Sequence, residues 1–432
     1  MTGAKRWWLF WLVPSAIVIA AGLATLLRYQ GILVPVRIAS GSMAERLLGP
    51  HQLVNCADCG FAFRCGLDTE TPLQLATCPN CGFERNDLAL AASHEGDRVL
   101  IDRWAYVRRT PRRGDVVAFI DPANGSELAV KRVMGLPKEA ITIRRGELLV
   151  NGGLHRKSLA EMKQLATLVY DDAYRPMGEH EMPSRWKGDD DATGWQATRN
   201  GYHWTPTHAE AAANDWLMYR HWRCYTSPHP RAEESPVTDN DAYNQGLSRE
   251  LHEITDVLLS CHVSLAENGE AALLVHDGRE RFTAVISTKS RVLNLHRGED
   301  VWERAVLPNH LDPRHVTIEF GVIDDQLLIA IAGETVIRRE YVPLDSPLQP
   351  TSRPLGISGR QGECSVAKIK VYRDIFYLNP FRTDWAWAGP APLGDDAYLV
   401  LGDNSPLSND SRHWPEPGLH RQLLIGKVLT PR

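Results

Sequence analysis

The stretch Ile-Leu-Val-Pro-Val-Arg-Ile-Ala-Ser-Gly-Ser-Met, residues 32–43, joins an apolar run to a short polar turn. The run predicts a β-strand because it is rich in Ile and Val and ends at small residues. Gly41 lets the backbone take a turn that other residues resist, so the pattern predicts that Ser42 is exposed there. Ser40 would point to the same face of an extended chain. Ser42 is therefore a candidate nucleophile, although a lone Ser-Gly-Ser is usually an ordinary loop.

A candidate base for this serine lies in the strand-like run Ala-Val-Lys-Arg-Val-Met, residues 129–134. A lysine acts as a base only when it is neutral, and burial among apolar residues favours the neutral form. Serine–lysine dyads are an established variant of the catalytic triad. Lys131 therefore fits the role of general base, whereas most lysines in strands are solvated edge residues.

A third polar run, residues 402–412, follows the apolar stretch 398–401 near the end of the chain. The side chains of Asp403 and Asn404 could cap turns. Asp410 and Arg412 could form an ion pair, and Ser408 could hold a lysine amine in place. Taken alone, such a run is an ordinary polar turn.

Together, these stretches resemble the ordered sequence boxes of signal peptidase I, the leader peptidase family with a serine–lysine dyad. The matching segments are residues 40–43, 113–117, 130–133 with 135–137, 402–404 with 408–412, and 424–428. The resemblance implies a membrane-bound serine endopeptidase that removes signal peptides from exported preproteins after small residues, in an Ala-x-Ala pattern. It implies no cofactor for catalysis.

The resemblance also implies a role for each motif residue. Ser42 attacks the scissile carbonyl, and Lys131 takes its proton. The Ser42 backbone N–H and the Ser40 hydroxyl hold the oxyanion. The supporting roles are that Ser408 orients Lys131, Asp410 and Arg412 form an ion pair, Asp403 and Asn404 support the turn, and Met43 shapes the substrate groove.

An uncharged run of 21 residues, 7–27, lies near the N-terminus between Arg6 and Arg28. At a rise of about 1.5 Å per residue it would span about 30 Å, the thickness of a bilayer's hydrocarbon core. We therefore expect a retained transmembrane anchor, with a cleaved signal peptide as the alternative. Basic residues on both sides leave the orientation open. The family resemblance implies a single-pass protein of the cytoplasmic (inner) membrane, with its protease domain on the outer, periplasmic side.

Four cysteines occur as two Cys-x2-Cys pairs separated by 18 residues: Cys56, Cys59, Cys78 and Cys81. Two such pairs can offer four thiolates in tetrahedral geometry, and this spacing predicts a zinc-ribbon-like insertion with a structural zinc ion. Disulfides are the alternative if this part of the chain faces an oxidising compartment.

The chain of 432 residues is long enough for two or three domains. We predict a mainly β fold: a signal-peptidase-type core interrupted by a zinc ribbon and by an inserted β-sandwich. The predicted segments are 1–28 (cytoplasmic tip and anchor), 29–50, 96–153 and 386–432 (protease core), 51–95 (zinc ribbon), 154–235 (helical and irregular, Trp-rich) and 236–378 (sandwich). The sandwich weakly resembles concanavalin A-like jelly-roll domains, which suggests a glycan or protein ligand or a mere spacer.

The overall charge and the motifs limit the function classes. The formal net charge is −5, so no basic field points to nucleic acid as a partner. The expected partners are preprotein substrates and the lipid bilayer. The competing hypothesis is a membrane-anchored binding protein built on an inactive protease scaffold.

Overall fold

The computed structural model describes residues 7–29, 31–67, 73–125, 127–176, 183–189, 193–206, 215–222, 224, 233–378 and 391–429. Residues 386–390 and 430–432, which we assigned to the protease core, lie outside these ranges, as do parts of the Trp-rich segment. In the first helix, side chains are described for residues 12–26.

The secondary structure is mainly β, as predicted. The helices within the described residues are α1 (Trp7–Tyr29) and α2 (Leu159–Leu165), with 3-10 helices at Leu88–Leu90, Ala242–Asn244, Ser405–Leu407 and Arg421–Leu423. The strands up to residue 154 are β1 (Leu33–Arg37), β2 (His51–Asn55), β3 (Ala62–Gly66), β4 (Leu75–Ala76), β5 (Asn86–Asp87), β6 (Ala92–His94), β7 (Arg98–Asp102), β8 (Val116–Ile120), β9 (Leu128–Gly135), β10 (Ala140–Arg144), β11 (Glu147–Val150) and β12 (Gly153–Leu154).

The remaining strands follow α2. They are β13 (Thr167–Asp171), β14 (Trp186–Gly188), β15 (Trp195–Thr198), β16 (Gly201–Trp204), β17 (Trp216–Tyr219), β18 (Val257–Leu265), β19 (Glu270–His276), β20 (Arg281–Ser287), β21 (Val292–Arg297), β22 (Asp300–Val306), β23 (His315–Ile323), β24 (Gln326–Ile331), β25 (Glu334–Glu340), β26 (Leu355–Gln361), β27 (Cys364–Arg373), β28 (Ala391–Pro392), β29 (Ala397–Leu401), β30 (Leu419–His420) and β31 (Leu424–Leu429).

The N-terminal helix α1 covers the uncharged run, with Pro14 inside it. Among the residues that the structure describes, none of the helices combines the length and the apolar character needed to cross a membrane. The transmembrane anchor therefore stays a prediction.

The sheet that carries the motifs is built from three distant parts of the chain. Its strand order is β1-β7-β31-β8-β9-β29-β30, and each neighbouring pair is antiparallel. A second, smaller sheet has the strand order β12-β11-β10-β28. This arrangement pairs the strand that carries Lys131, β9, with β29, the strand that leads into residues 402–412.

Between β12 and β28, the chain forms a two-sheet β-sandwich. One sheet has the order β15-β16-β27-β18-β23-β24-β25, with β13 also paired to β27, and the other has the order β14-β17-β26-β19-β20-β21-β22. Their facing apolar side chains form one buried cluster that includes Trp186, Val263, Phe320 and Ile357. Strands of alternating burial, as in β18, are what a sandwich with one solvated face requires.

The strands of the two sandwich sheets begin earlier in the chain than the predicted range 236–378. The sequence predicts a helical and then irregular segment at 154–235. Among its described residues, α2 is the only α-helix, and β13 to β17 add strands to both sheets. The reason is packing: Trp186, Trp195 and Trp204 are buried in the sandwich core, and aromatic residues fit a pleated, half-buried surface.

Candidate active site

Residues 40–47, the nucleophile turn, follow β1 and fold onto the sheet β1-β7-β31-β8-β9-β29-β30, the core sheet. The Ala44 backbone N–H donates to Gly41 O at 3.0 Å, and the Leu47 N–H donates to Met43 O at 2.9 Å. The Met43 side chain is only 1 % exposed and packs with Leu47 and Val99. The structure therefore places Met43 in a hydrophobic cluster, where it anchors the turn, and its role in shaping the substrate groove stays a prediction.

Ser42 and Lys131 meet in the structure. Lys131 lies in β9, paired with Val117 of β8, and its Nζ donates to Ser42 Oγ at 2.6 Å. Ser40 Oγ donates to Ser42 Oγ at 3.3 Å. Ser42 and Lys131 are each 6 % exposed. An amine within hydrogen-bond reach of a serine hydroxyl is the arrangement that general-base activation of the nucleophile needs.

The environment of Lys131 favours its neutral form. Burial lowers the pKa of Lys131 to about 8, against a partial upward effect from the charges of Asp410, Asp121 and Asp403. Loss of water around an ammonium group disfavours the charged state more than distant carboxylates can restore it. At a pH slightly above 8, most of the Lys131 amines are therefore free to accept a proton.

The Asp410 carboxylate is already neutralised by Arg412. Arg412 Nη2 lies 2.7 Å from Asp410 Oδ2, and Arg412 Nε donates to Asp410 Oδ1 at 2.8 Å. Burial alone would raise the pKa of Asp410, but Arg412 and hydrogen bonds from Ser408 and Gly402 bring it below its ordinary value. The ion pair is thus fully desolvated and bidentate, the geometry in which such pairs hold their shape best.

Ser408 binds the Asp410–Arg412 ion pair and lies close to Ser42. Its hydroxyl donates to Asp410 Oδ2 at 2.6 Å, so its proton is committed to Asp410, and Ser408 can act on Lys131 only through its oxygen lone pairs. Gly402 makes the approach possible, since a Cβ there would lie 2.2 Å from Ser408 Oγ and 2.5 Å from Ser42 O. Among the described residues, Ser408 thus lies near Ser42 but makes no direct hydrogen bond to the Lys131 amine.

Asp403 and Asn404 contact two further parts of the site, the Arg132 side chain and the backbone of residues 41–42. Asp403 Oδ1 accepts from Arg132 Nε at 2.7 Å in a buried ion pair. Asn404 donates its backbone N–H to Ser42 O at 3.1 Å and its side-chain Nδ2 to Gly41 O at 2.9 Å. Asp403 therefore neutralises the arginine next to Lys131, and Asn404 fixes the backbone of the nucleophile turn.

Two contact residues of the site were not predicted from the sequence. Tyr243 packs on Gly41, where a Cβ would lie 2.2 Å from Tyr243 Cε1, and Asn244 pairs with Asn404. Gly41 does not adopt a left-handed conformation, so close approach of the tyrosine ring, and not backbone freedom, is the reason for glycine there. No sequence signal connects residues 243–244 with the nucleophile turn.

The four predicted metal ligands also come together. The sulfur atoms of Cys56, Cys59, Cys78 and Cys81 all lie within 4.8 Å of one another. The Cys56–Cys81 Sγ distance is 3.5 Å and the Cys59–Cys78 Sγ distance is 3.7 Å. Zn–S bonds of about 2.3 Å in a tetrahedron require S–S separations of about 3.8 Å. The cluster could therefore hold a metal ion, and all eight cysteines, each within the described residues, are free thiols.

Comparison with known proteins gives a match for part of the chain. Residues 89–192 match the family described as "Signal peptidase, peptidase S26", a segment that includes Lys131 but not Ser42. A signal peptidase I of Leptolyngbya laminosa is 36 % identical over 63 residues, covering 13 % of this chain and 31 % of that protein. A probable signal peptidase I-2 of Synechocystis sp. is 30 % identical over 97 residues, covering 19 % of this chain and 43 % of that protein. The chain thus spans less than half of the length of either relative.

Among solved structures, a carbohydrate binding module from Bacillus subtilis is similar to the chain with a TM-score of 0.28 and 12 % identity. The similarity covers 44 % of this chain and 95 % of the module. A TM-score of this size does not establish a shared fold, and the ligand of the module carries nothing over to this chain.

Proposed function

We propose that this chain is a membrane-bound serine endopeptidase that removes signal peptides from exported preproteins after small residues, with Ser42 as nucleophile and Lys131 as general base. The observation that carries the proposal is the 2.6 Å contact between Lys131 Nζ and Ser42 Oγ at an amine whose pKa burial lowers to about 8. The signal peptidase matches support the reaction class.

The proposed reaction begins when neutral Lys131 takes the proton of the Ser42 hydroxyl and Ser42 Oγ attacks the scissile carbonyl carbon. The Ser42 backbone N–H and the Ser40 hydroxyl would donate to the oxyanion that forms. The Lys131 ammonium then gives its proton to the leaving amine, and an ester joins Ser42 to the substrate. Water, deprotonated by the again neutral Lys131, hydrolyses this ester and regenerates Ser42.

The surrounding ion pairs support this chemistry because their arginines offset two of the carboxylate charges that raise the pKa of Lys131. Asp410 and Asp403 are each held by an arginine, Arg412 and Arg132 respectively. A carboxylate without such a partner would favour the protonated amine and so remove the base. We assign Ser408, which donates to Asp410, the role of holding this carboxylate in place beside the dyad.

The competing function is a binding protein on an inactive protease scaffold. The observation that favours it is the low exposure of Ser42 and Lys131, 6 % each, because a substrate must reach the Ser42 hydroxyl. The same cleavage assay separates the two functions.

The test is cleavage of a preprotein with an Ala-x-Ala site by the wild type, Ser42→Ala and Lys131→Met. We expect full cleavage by the wild type and none by Ser42→Ala. Lys131→Met should lose about 10²- to 10⁴-fold in rate, because a general base contributes that much. Ser290→Ala and Lys289→Met, which alter exposed residues of the sandwich, are matched controls and should keep full activity. Equal cleavage by all variants would reject the dyad, and an inactive wild type would favour the binding protein.

We further propose a structural zinc ion held by Cys56, Cys59, Cys78 and Cys81. Metal analysis of the purified protein should find about one zinc per chain, and Cys78→Ser should lose it. Cys65→Ser is the control, because Cys65 lies outside the four-sulfur cluster. A protein with disulfides at these positions and without zinc would contradict the proposal.

A further inference from the structure

A short turn of the inserted region, residues 241–245, lies against the candidate active site. It contains the 3-10 helix Ala242–Asn244, and the Asp241 side chain accepts from the Tyr243 backbone N–H at 2.8 Å. Three consecutive side chains of this turn contact three different parts of the molecule. They reach the nucleophile turn, the closing motif 402–412 and the cysteine-bearing segment 51–95, the cysteine module.

Tyr243 makes the contact with the nucleophile turn. Its ring is almost completely buried and packs so closely on Gly41 and Gly66 that a Cβ on either would lie 2.2 or 2.3 Å from Tyr243 Cε1. Its hydroxyl donates to Pro50 O at 3.0 Å. The ring therefore limits how far the backbone at Gly41 can move.

Asn244 makes the contact with the closing motif. Asn244 Nδ2 donates to Asn404 Oδ1 at 2.7 Å, and Asn404 Nδ2 donates to Asn244 Oδ1 at 2.9 Å. Both side chains are buried. The same Asn404 Nδ2 donates to Gly41 O, so the reciprocal amide pair fixes the orientation in which Asn404 holds the nucleophile turn.

Gln245 makes the contact with the cysteine module. Gln245 Oε1 accepts from the Thr77 backbone N–H at 2.7 Å, and Gln245 Nε2 donates to Thr77 O at 2.7 Å. Thr77 directly precedes Cys78. The turn is thereby held between the cysteine module and the nucleophile turn, which makes it a rigid support for both.

From this arrangement we infer that Tyr243 and Asn244 are positioning residues that keep the Gly41–Ser42 backbone where the Ser42 hydroxyl meets Lys131. This inference rests on the proposed endopeptidase function. Asn244 acts through Asn404, since it touches neither Ser42 nor Lys131 by a hydrogen bond among the described residues. A displacement of about 1 Å at a reacting group costs about 10²-fold in rate, so a loosened Asn404 should slow the chemical step.

The test is a double-mutant cycle with Asn244→Ala, Asn404→Ala and the double variant in the full chain, assayed on the same preprotein. We expect Asn244→Ala to lower kcat by about 10- to 100-fold with KM within about 2-fold, because only the chemical step is affected. The double variant should be no slower than Asn404→Ala, since Asn244 works through that residue. Asn309→Ala, an exposed asparagine of the sandwich, is the control and should keep wild-type kcat.

The outcomes separate this inference from the proposed function. An active wild type whose kcat survives Asn244→Ala, or losses that multiply in the double variant, would overturn the positioning role alone. A wild type without cleavage would overturn both. If Asn244→Ala does not yield folded protein, Asn244→Ser, which keeps a hydrogen-bonding group, replaces it in the cycle with the same criteria. Tyr243→Phe, which keeps the ring on Gly41, should retain most of the activity, whereas Tyr243→Leu should lose it.

Discussion

Two lysines of this chain are buried to a similar extent but differ in their expected charge. Lys131 is 6 % exposed and Lys157 is 3 % exposed. Burial lowers the pKa of Lys131 to about 8. Burial alone would lower the pKa of Lys157 as well, but the carboxylates of Asp374, Glu147 and Asp324 raise it well above its ordinary value. Burial by itself therefore does not decide which lysine can act as a base.

The difference lies in what each ammonium group touches. Lys157 Nζ forms an ion pair with Asp374 Oδ2 at 2.8 Å and a second with Asp324 Oδ1. Lys131 Nζ instead contacts a neutral hydroxyl, and arginines hold two of the carboxylates whose charges raise its pKa, Asp410 and Asp403. A buried lysine can act as a base when no carboxylate forms a direct ion pair with its amine.

The largest effect on stability is expected at Lys157. Lys157→Met should lower the free energy of unfolding by about 3–5 kcal/mol at pH 7, because it leaves the buried carboxylates of Asp324 and Asp374 without their ammonium partner. The raised pKa means that this stabilisation is fully present below about pH 10.5 and is lost as the pH rises through the folded-state pKa. Urea unfolding followed by tryptophan fluorescence measures it, with Lys289→Met as the exposed control. A loss as small as that of the control would break the comparison.

The opposite sign is expected at Lys131. Its pKa falls from 10.5 in the unfolded chain to about 8 in the folded protein, so the buried ammonium costs about 3 kcal/mol below pH 8. Between pH 8 and 10.5 the unfolded chain binds more protons, so stability rises with pH there. Lys131→Met should therefore stabilise the protein by up to about 3 kcal/mol at pH 7 and by almost nothing above pH 10.5. Destabilisation at pH 7 would show that the ammonium is well accommodated.

The two lysines also differ in how far sequence could predict them. Lys131 lies in a recognisable strand between apolar neighbours, and the order of the motifs predicts its meeting with Ser42. Lys157 lies in His-Arg-Lys-Ser, residues 155–158, which is typical of a solvated loop. Its partners Asp324 and Asp374 follow strands far along the chain, and only the folded sandwich brings them to it.

The other differences between prediction and structure also arise because the features depend on contacts between residues far apart in the chain. The strands β14 to β17 have three or four residues each, too few for an alternating pattern to stand out against the polar residues around them. Tyr243 and Asn244 belong to no motif, and their role depends on a turn that docks from the insertion. Local patterns predicted the elements of the core, whereas contacts between domains had no local signal.

The smallest effect, and the sharpest test of the comparison, concerns Asp121. Its charge is among those that raise the pKa of Lys131, and its Oδ1 accepts from the Ala123 backbone N–H at 2.8 Å. Asp121→Asn keeps that acceptor and removes the charge, so it should lower the pKa of Lys131 and make the amine neutral at a lower pH. The pH profile of kcat/KM reports the pKa of the base in the free enzyme.

In that profile, activity rises with pH as Lys131 loses its proton, with a midpoint near pH 8 for the wild type. Asp121→Asn should move the midpoint to lower pH without changing the plateau, since the neutral amine is the same base in both proteins. Asp300→Asn, which removes one exposed carboxylate from the sandwich, should leave the midpoint in place. A midpoint that moves upward, or moves equally in both variants, would mean that the rising limb does not report Lys131, and Lys131 would no longer differ from Lys157 by its function.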